Sequence, residues 1–402
     1  MSYILYGDGI HDDTAAIQQM LDTSCEVSLP VPKAHYLISR PLELPSGCRL
    51  VLPRFARIRL ANGSNCVMLK NKTVDSAAHR VNTRLFDYVN LLSPDAPSEN
   101  IEVVGGIWDF NNKGQKPNPI LSGDFKPVGY YSLGFLFYNV RNLRISSMTL
   151  KDPVTFAVTL DTVSYFQVDH ITFDFNEGNP YQSNMDGIHV NGHCHHGKIE
   201  KLFGTCYDDI VALNAEEGTA GPISDITVQG IYTDHSYSAV RLLSASPQCA
   251  IRNIHISDVH GTFYHFCISM QRHQYGKAGI YGIYENITLD HIYAAKSDRR
   301  LVQFPKVFMY RNYPLIDIEE MLQIENLQIT DVHRSEYITA EPTIGIDEAT
   351  TIRNLTLNNI TSENHTDCEQ MPLFENHGEV IDLSALGLYE NGQVVQVNLD
   401  KC

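Results

Sequence analysis

Short runs of alternating apolar and polar residues fill this chain, and one phrase returns within them: Asn, apolar, any residue, apolar, two of any kind, apolar. It reads Asn100-Ile-Glu-Val-Val-Gly-Gly-Ile107, Asn142-Leu-Arg-Ile-Ser-Ser-Met148, Asn253-Ile-His-Ile-Ser-Asp-Val259, Asn286-Ile-Thr-Leu-Asp-His-Ile292, Asn326-Leu-Gln-Ile-Thr-Asp-Val332 and Asn354-Leu-Thr-Leu-Asn-Asn-Ile360. Weaker copies start at Tyr165, Gly197 and Asp225. Alternation with period two marks a half-buried strand. Asn253 and Asn286 stand 33 residues apart, Asn326 and Asn354 28 apart, with no helical pattern between. A short strand cannot bury its inner face alone, so units of this length must stack. The pattern predicts an all-β chain folded as a single-stranded, right-handed parallel β-helix. The repeated Asn is expected to ladder along the stack at a turn, its amide bonding the turn below. That use also accounts for the sequons at Asn286 and Asn354 without glycosylation.

The ends depart from the repeat, as solenoid ends should. Asp12-Asp13-Thr14 followed by Ala-Ala-Ile-Gln-Gln-Met-Leu21 supplies capping oxygens and then apolar positions at helical spacing, predicting a helix that plugs the first coil. His35-Tyr-Leu-Ile and Leu42 to Leu52 read as the first strands. Residues 378–397 alternate again, and a strand there would close the last coil or pair with another subunit, leaving room for a homo-oligomer. The reading is one β-helix domain over 1–402, with cap and first strands in 1–60, main coils in 100–362 and a closing segment in 373–402. Segments 62–98, 111–132 and 303–315 lack the repeat and are expected as loops at a cleft margin.

Composition narrows the function. With 43% apolar and 19% charged residues the chain buries a large core. A net charge of -17 repels phosphate backbones and anionic headgroups, which argues against nucleic-acid and membrane partners. No apolar run approaches a membrane span, and the first residues lack a secretory pattern, so a cytoplasmic address is expected. Nine cysteines without paired spacing fit reduced thiols, and Cys206, Cys249 and Cys267 read as small core residues.

Aligning inward residues stacks Ala157 to Leu160, Gly187 to Val190, Ile210 to Leu213, Ala239 to Leu242 and Cys267 to Met270, at offsets of 30, 23, 29 and 28 residues. The column just before these strands then reads Phe156, Asp186, Asp209, Ser238 and Phe266. A second column reads Thr159, His189, Ala212, Arg241 and Ser269. Strands stack about 4.8 Å apart, so Asp186 and Asp209, with Asp208 beside them, form a carboxylate patch on this reading. Crowded acids hold at least one proton near neutrality, the division into acid and base that glycoside hydrolysis needs. The competing reading is local: a turn pair at Asp208-Asp209 and an Asx turn at Asn184 to Asp186.

Asn184-Met-Asp186-Gly-Ile and, 22 residues after Asp186, Asp208-Asp209-Ile-Val-Ala-Leu resemble the Asn-x-Asp and Asp-Asp motifs of glycoside hydrolase family 28, the polygalacturonase family of the pectin-lyase-like β-helices. Tyr6 to Gln18 is similar to the N-terminal cap of such β-helices, and Gly105-Gly-Ile-Trp-Asp109 to the family's Gly-Gly-x-x-Asp coil. The resemblance implies that Asp208 is the general acid, that Asp186 and Asp209 activate the attacking water with inversion, and that no cofactor takes part. Asn184 belongs to the same motif and is a candidate contact to the oligosaccharide. The chain departs from the family where Tyr237-Ser-Ala-Val-Arg241 replaces its Gly-His-Gly strand and Cys267-Ile-Ser269 replaces its Arg-x-Lys clamp. These departures argue against plain polygalacturonan as the ligand, although Arg241 could meet an anion from another angle or pair with Asp209.

His189 is a candidate sugar contact, and His235 a candidate spatial replacement for the family's histidine. Tyr207, Tyr237, Tyr264 and Trp108 offer rings for pyranose faces or for packing. His193-Cys-His-His196 is spaced too tightly for a metal, and none is assigned. The leading function is a glycoside hydrolase on a pectin-type or related oligosaccharide. The alternatives are a calcium-dependent polysaccharide lyase or epimerase on the same scaffold, and a non-catalytic or phage-tail glycan-binding β-helix.

Overall fold

The structure is a computed structural model and describes residues 4–74, 96–117, 132–182, 184–298 and 312–397. Its contacts divide the chain into two compact units, Met1–Tyr207 with Glu217–Thr219, and Asp208–Glu216 with Ala220–Cys402. Each is built as a parallel β-helix, the architecture expected from the repeat.

In the first unit the helix Thr14–Thr23 buries Ala16, Ile17 and Leu21. Its capping differs from the expectation. Asp13 lends no side-chain cap; its buried carboxylate takes the Tyr6 amide at 2.6 Å and the Gly7 amide at 3.1 Å, folding the preceding chain back. Asp12 accepts the Thr14 amide at 2.9 Å instead. The helix ends the sheet by a side-chain device. Gln18 Nε2 donates to the Glu43 carbonyl (3.0 Å), and Gln18 Oε1 accepts the Glu43 amide (2.9 Å), so one amide group occupies the open edge of strand Leu42–Leu44.

Parallel strands Glu26–Ser28, Arg49–Val51, Ser98–Val104, Val140–Lys151, Ser164–Asp174 and His195–Gly204 form one wall of this unit. Leu42–Leu44, Leu69–Asn71, Phe135–Tyr138, Val158–Asp161 and Ile188–Asn191 form another. Leu69–Asn71 lies where the alternation predicted loop. Its middle residue, Lys70, is buried, with Nζ 2.8 Å from Glu43 Oε1 and donating to the Val74 carbonyl, so a charged letter stands where the pattern demands an apolar one. Of the expected loops, 75–95, 118–131 and 303–311 lie outside the described residues. The Gly-Gly coil is structural. Gly105 has φ +79°, and a Cβ there would stand 2.1 Å from the Leu52 carbonyl oxygen. Asp109 is buried against Arg57 and Arg59.

The second unit repeats the plan. Ile223–Ser236, Ile251–Phe263, Gly282–Lys296, Leu322–Glu336, Thr351–Asn364 and Glu379–Glu390 pair in parallel along one wall. Asp209–Asn214, Ser238–Leu243, Ile268–Gln271, Ile316–Ile318, Ile344–Ile346 and Phe374–Asn376 pair along the other. The long strands bend at left-handed residues, among them Asn253 and Asn286 at one corner and Asp258, His291, Asp331 and Asn359 at the next. Asn, Asp and His tolerate that backbone better than other side chains with a Cβ. Ile254, Ile287, Leu327 and Leu355 stack in register inside, each 1% exposed. The final strand, Glu379–Glu390, adds to the last coil and turns back as Gln393–Val394, leaving Ile381, Leu386 and Val394 exposed.

The Asn ladder forms, side chain to side chain. Asn142 donates to Asn100 (2.6 Å) in the first unit. In the second, Asn253 donates to Asp225 (2.8 Å), Asn286 to Asn253 (2.9 Å), Asn326 to Asn286 (2.7 Å) and Asn354 to Asn326 (2.8 Å). The Asn286 amide is thus engaged on both sides. Asn286→Ala is expected to cost roughly 1–3 kcal/mol, from two exposed hydrogen bonds and a Cβ residue without a side-chain amide at φ +56°. Asn286→Gly separates the parts: denaturant titration should show it recovering the backbone share only. Further along the same wall Tyr232, His260, Tyr293 and His333 stack face to face at 4.9–5.0 Å, which occupies their ring faces internally.

Among the described residues no helix is long and apolar enough to cross a membrane. Eight described cysteines are free thiols, with Cys206, Cys249 and Cys267 buried as expected.

Candidate functional site

The register predicted within each unit is the register observed. Thr159 pairs with His189, and Ala212, Arg241 and Ser269 follow one another on neighbouring strands, the column continuing to Asp317 and Gly345.

In the first unit Asp186, 3% exposed, precedes strand Ile188–Asn191 and meets His189 from that strand, Oδ2 to Nδ1 at 2.6 Å. The other ring nitrogen, Nε2, lies 2.9 Å from Glu217 Oε2, and the imidazole stacks on Phe156 with centroids 3.8 Å apart and planes 8° from parallel. Burial alone would strip its proton. The hydrogen bonds and charges of Asp186 and Glu217 outweigh that and lift the His189 pKa to about 10, so the ring is an imidazolium at neutral pH. His189 was expected to reach a sugar hydroxyl; instead it is 1% exposed and turns both nitrogens to carboxylates. Asn184 adopts a left-handed backbone (φ 54°), and its buried Nδ2 has no hydrogen-bond partner among the described residues. Tyr207, a candidate sugar platform, is buried, its hydroxyl donating to the Phe175 carbonyl (3.4 Å) and its amide to the Met185 carbonyl (3.3 Å).

Glu217 was not foreseen, because Glu216-Glu217-Gly218-Thr219 reads as a polar turn. The turn is latched. The Thr219 amide donates to Asp161 Oδ2 at 2.8 Å, and Asn191 Nδ2 reaches the same oxygen at 3.3 Å. Gly218 passes so close that a Cβ would lie 2.0 Å from that oxygen, and its φ of +60° suits glycine. Burial pushes the Asp161 carboxyl up to about 6, against the hydrogen bonds that oppose it.

In the second unit Arg241 pairs with both carboxylates of the Asp-Asp motif: Nη2 lies 3.5 Å from Asp208 Oδ1 and Nε 3.2 Å from Asp209 Oδ2. Ser238 Oγ donates to Asp209 Oδ1. The Asp209 side chain is 1% exposed, whereas Asp208 and Arg241 keep 18% and 14%. Arg241 lies 5.7 Å over the Phe266 ring, and of the two readings weighed for it the internal ion pair is the one formed. Tyr237 is half-buried against Tyr264 and His265. His265, unforeseen, is packed between Tyr237, Phe266 and Tyr313. Burial, then the charges of Arg241 and Lys296, drive its pKa well below the usual value, so its ring is neutral. His235 is half-exposed and places Nδ1 2.6 Å from Ser297 Oγ, beside Asp234 and Asp298.

Asp317 extends the column of Arg241 and Ser269 by one strand and accepts a 2.6 Å hydrogen bond from Ser269. Its 48-residue offset from Ser269 hid it from the alignment. Burial first, then the charges of Asp347 and Glu319, push this carboxyl up to about 7. A carboxyl raised in the fold favours the folded state below its unfolded pKa near 3.8 and loses that contribution as pH climbs through about 7. Urea titrations at pH 5 and pH 8 should show a loss in the wild type that Asp317→Asn shares only in part.

Trp108 and Tyr264, further candidate sugar platforms, are buried, Trp108 donating its indole N–H to the Gly105 carbonyl. In the His193 to His196 run the Cys194 thiol is buried between Val163 and Leu160, while His195 and His196 meet each other outside.

No protein-family model matches the chain. Among solved structures it is similar to a family 28 exopolygalacturonase from Yersinia enterocolitica, at 13% identity and a TM-score of 0.54, covering 96% of this chain and 79% of that one. It is also similar to the A-module of the mannuronan C-5 epimerase AlgE4 of Azotobacter vinelandii (13%, TM-score 0.55, 97% and 96% covered). A third is the tailspike of Escherichia coli bacteriophage HK620 (13%, TM-score 0.57, 94% and 64% covered). These neighbours are pectin-lyase-like β-helix proteins, and at such identities the likeness is one of fold.

Proposed function

We propose that this protein is a glycoside hydrolase of a pectin-type or related oligosaccharide, with Asp208 as general acid and Asp186 and Asp209 as the carboxylates that hold and activate water, giving inversion. The observation that carries the reading is the Asp-Asp motif at the head of strand Asp209–Asn214, whose two carboxylates both pair with Arg241. Exposure supports the division of roles: Asp208 is open enough to meet a glycosidic oxygen, while Asp209 is covered and held by Ser238 and Arg241. Carboxylates alone suffice for this chemistry. A family 28 exopolygalacturonase among the similar folds supports the same reading. Where a uronate-binding clamp would need cations, Ser269 is buried and given to Asp317, so plain polygalacturonan is not the substrate proposed.

A second reading has its own support. Neutral His265 beside Tyr237, Tyr313 and Arg241 is the kind of base, ring hydroxyl and cation that removes a proton next to a carboxylate, and an epimerase is among the similar folds. One assay divides them. Reducing-end-labelled neutral and acidic oligosaccharides are incubated with the protein, with and without chelator. Saturated products unaffected by chelator, with inverted anomers by NMR, support the hydrolase; ultraviolet-absorbing unsaturated products or C-5 inversion overturn it.

A further inference from the structure

The least expected feature of the first unit is a buried imidazole held between a buried carboxylate, Asp186, and a part-buried one, Glu217. A carboxylate so far from water is costly unless a full partner charge is fixed against it. Asp186 has that partner in His189 at 2.6 Å, but an imidazole can rotate and can lose its proton. Both escapes are closed here. The Phe156 face holds the ring plane, and Glu217 Oε2 stands 2.9 Å from the second nitrogen, so a carboxylate faces each nitrogen and the two charges together favour the imidazolium. Glu217 is itself placed by the Thr219–Asp161 bond and by the close passage of Gly218.

We propose that Glu217 is a positioning residue for the candidate centre: acting through His189, it keeps Asp186 an ionised carboxylate of fixed orientation, and the latch of Gly218 and Thr219 on Asp161 sets it in place. The inference rests on the hydrolase reading for the role of Asp186, but not for the bridge. With Glu217 present the imidazolium survives far into alkali, its pKa lifted to about 10 by Asp186 and Glu217 together. Without that charge the ring neutralises at lower pH, and Asp186 then faces an uncharged partner.

The test begins without substrate. Imidazole ¹⁵N shifts of wild-type protein are expected to show His189 doubly protonated beyond pH 8. In Glu217→Gln, which keeps the shape and loses the charge, its titration should move down by at least one pH unit, with Glu217→Asp recovering part of it. On a glycan that the wild type cleaves, Glu217→Gln should bring the alkaline limb of kcat down by a similar interval, a loss of tenfold or more there, with KM within twofold. Gly218→Ala should move both readouts the same way. A wild-type His189 that titrates near its ordinary value overturns the proposal whether or not any variant folds. So does a Glu217→Gln protein whose imidazole shifts and pH profile match those of the wild type. Because the shifts are read without glycan, the bridge stands or falls separately from the hydrolase assignment.

Discussion

Asp208→Asn is expected to lower glycan turnover by roughly 10²–10⁴-fold, the usual contribution of a positioned proton donor, while leaving the fold and glycan affinity in place. The expectation follows from position. Asp208 keeps 18% of its side chain open and touches Arg241 at 3.5 Å, so the amide can hold the same contacts on one side yet has no proton to give a leaving oxygen. Substrates with a good leaving group need less protonation and should be spared, which separates a lost acid from a damaged site. Product release by HPLC on natural and activated glycosides, beside a binding isotherm for each variant, makes the check. Full turnover of the natural glycan by Asp208→Asn removes the assignment.

Glu336→Gln should have the largest effect on stability. Glu336 and Arg334 are both 0% exposed at the side chain, 2.7 Å apart, and Glu336 Oε2 also takes the Arg334 Nε–H at 2.8 Å and the Lys296 amide at 3.1 Å. Removing one charge of such a pair leaves the other uncompensated, typically about 3–5 kcal/mol. Lys296, which burial first and then Arg334 push down to about 7, would lose one of the carboxylates that oppose the shift. The thermal midpoint of the second unit should fall steeply in Glu336→Gln and much less in the double variant Arg334→Met with Glu336→Leu, which removes both charges. Equal destabilisation by the two would mean that shape, not charge, is what the pair supplies.

Much of this scaffold is legible because one residue does two jobs. Asn100, Asn142, Asn253 and Asn286 each bend the strand through a left-handed corner and bond a neighbouring coil, so they mark a coil and its register at once. The offsets that put Thr159 beside His189 and Arg241 beside Ser269 followed from aligning the inward apolar residues of successive coils. What stayed hidden departs from the alphabet of apolar and polar. Lys70 is buried by pairing with Glu43, Asp13 spends its carboxylate on the residues before the helix, and Trp108 and Tyr207 satisfy their polar tips internally. Glu217 lies in no coil phrase and gains meaning only from the closeness of Asp161, 56 residues earlier in the chain. Asp317 was masked by an insertion that breaks the spacing. Pairwise burial of charge is a three-dimensional fact, and hydropathy order carries little of it.

The side chain of Gln18 has a reach beyond its own coil. By imitating a peptide group against Glu43 it leaves strand Leu42–Leu44 nothing to offer a stranger, so concentrated protein is spared one route to head-on polymerisation through that end. A hydrocarbon in its place would still fill the helix face but would uncover a live template, and filaments rather than unfolding would be the symptom.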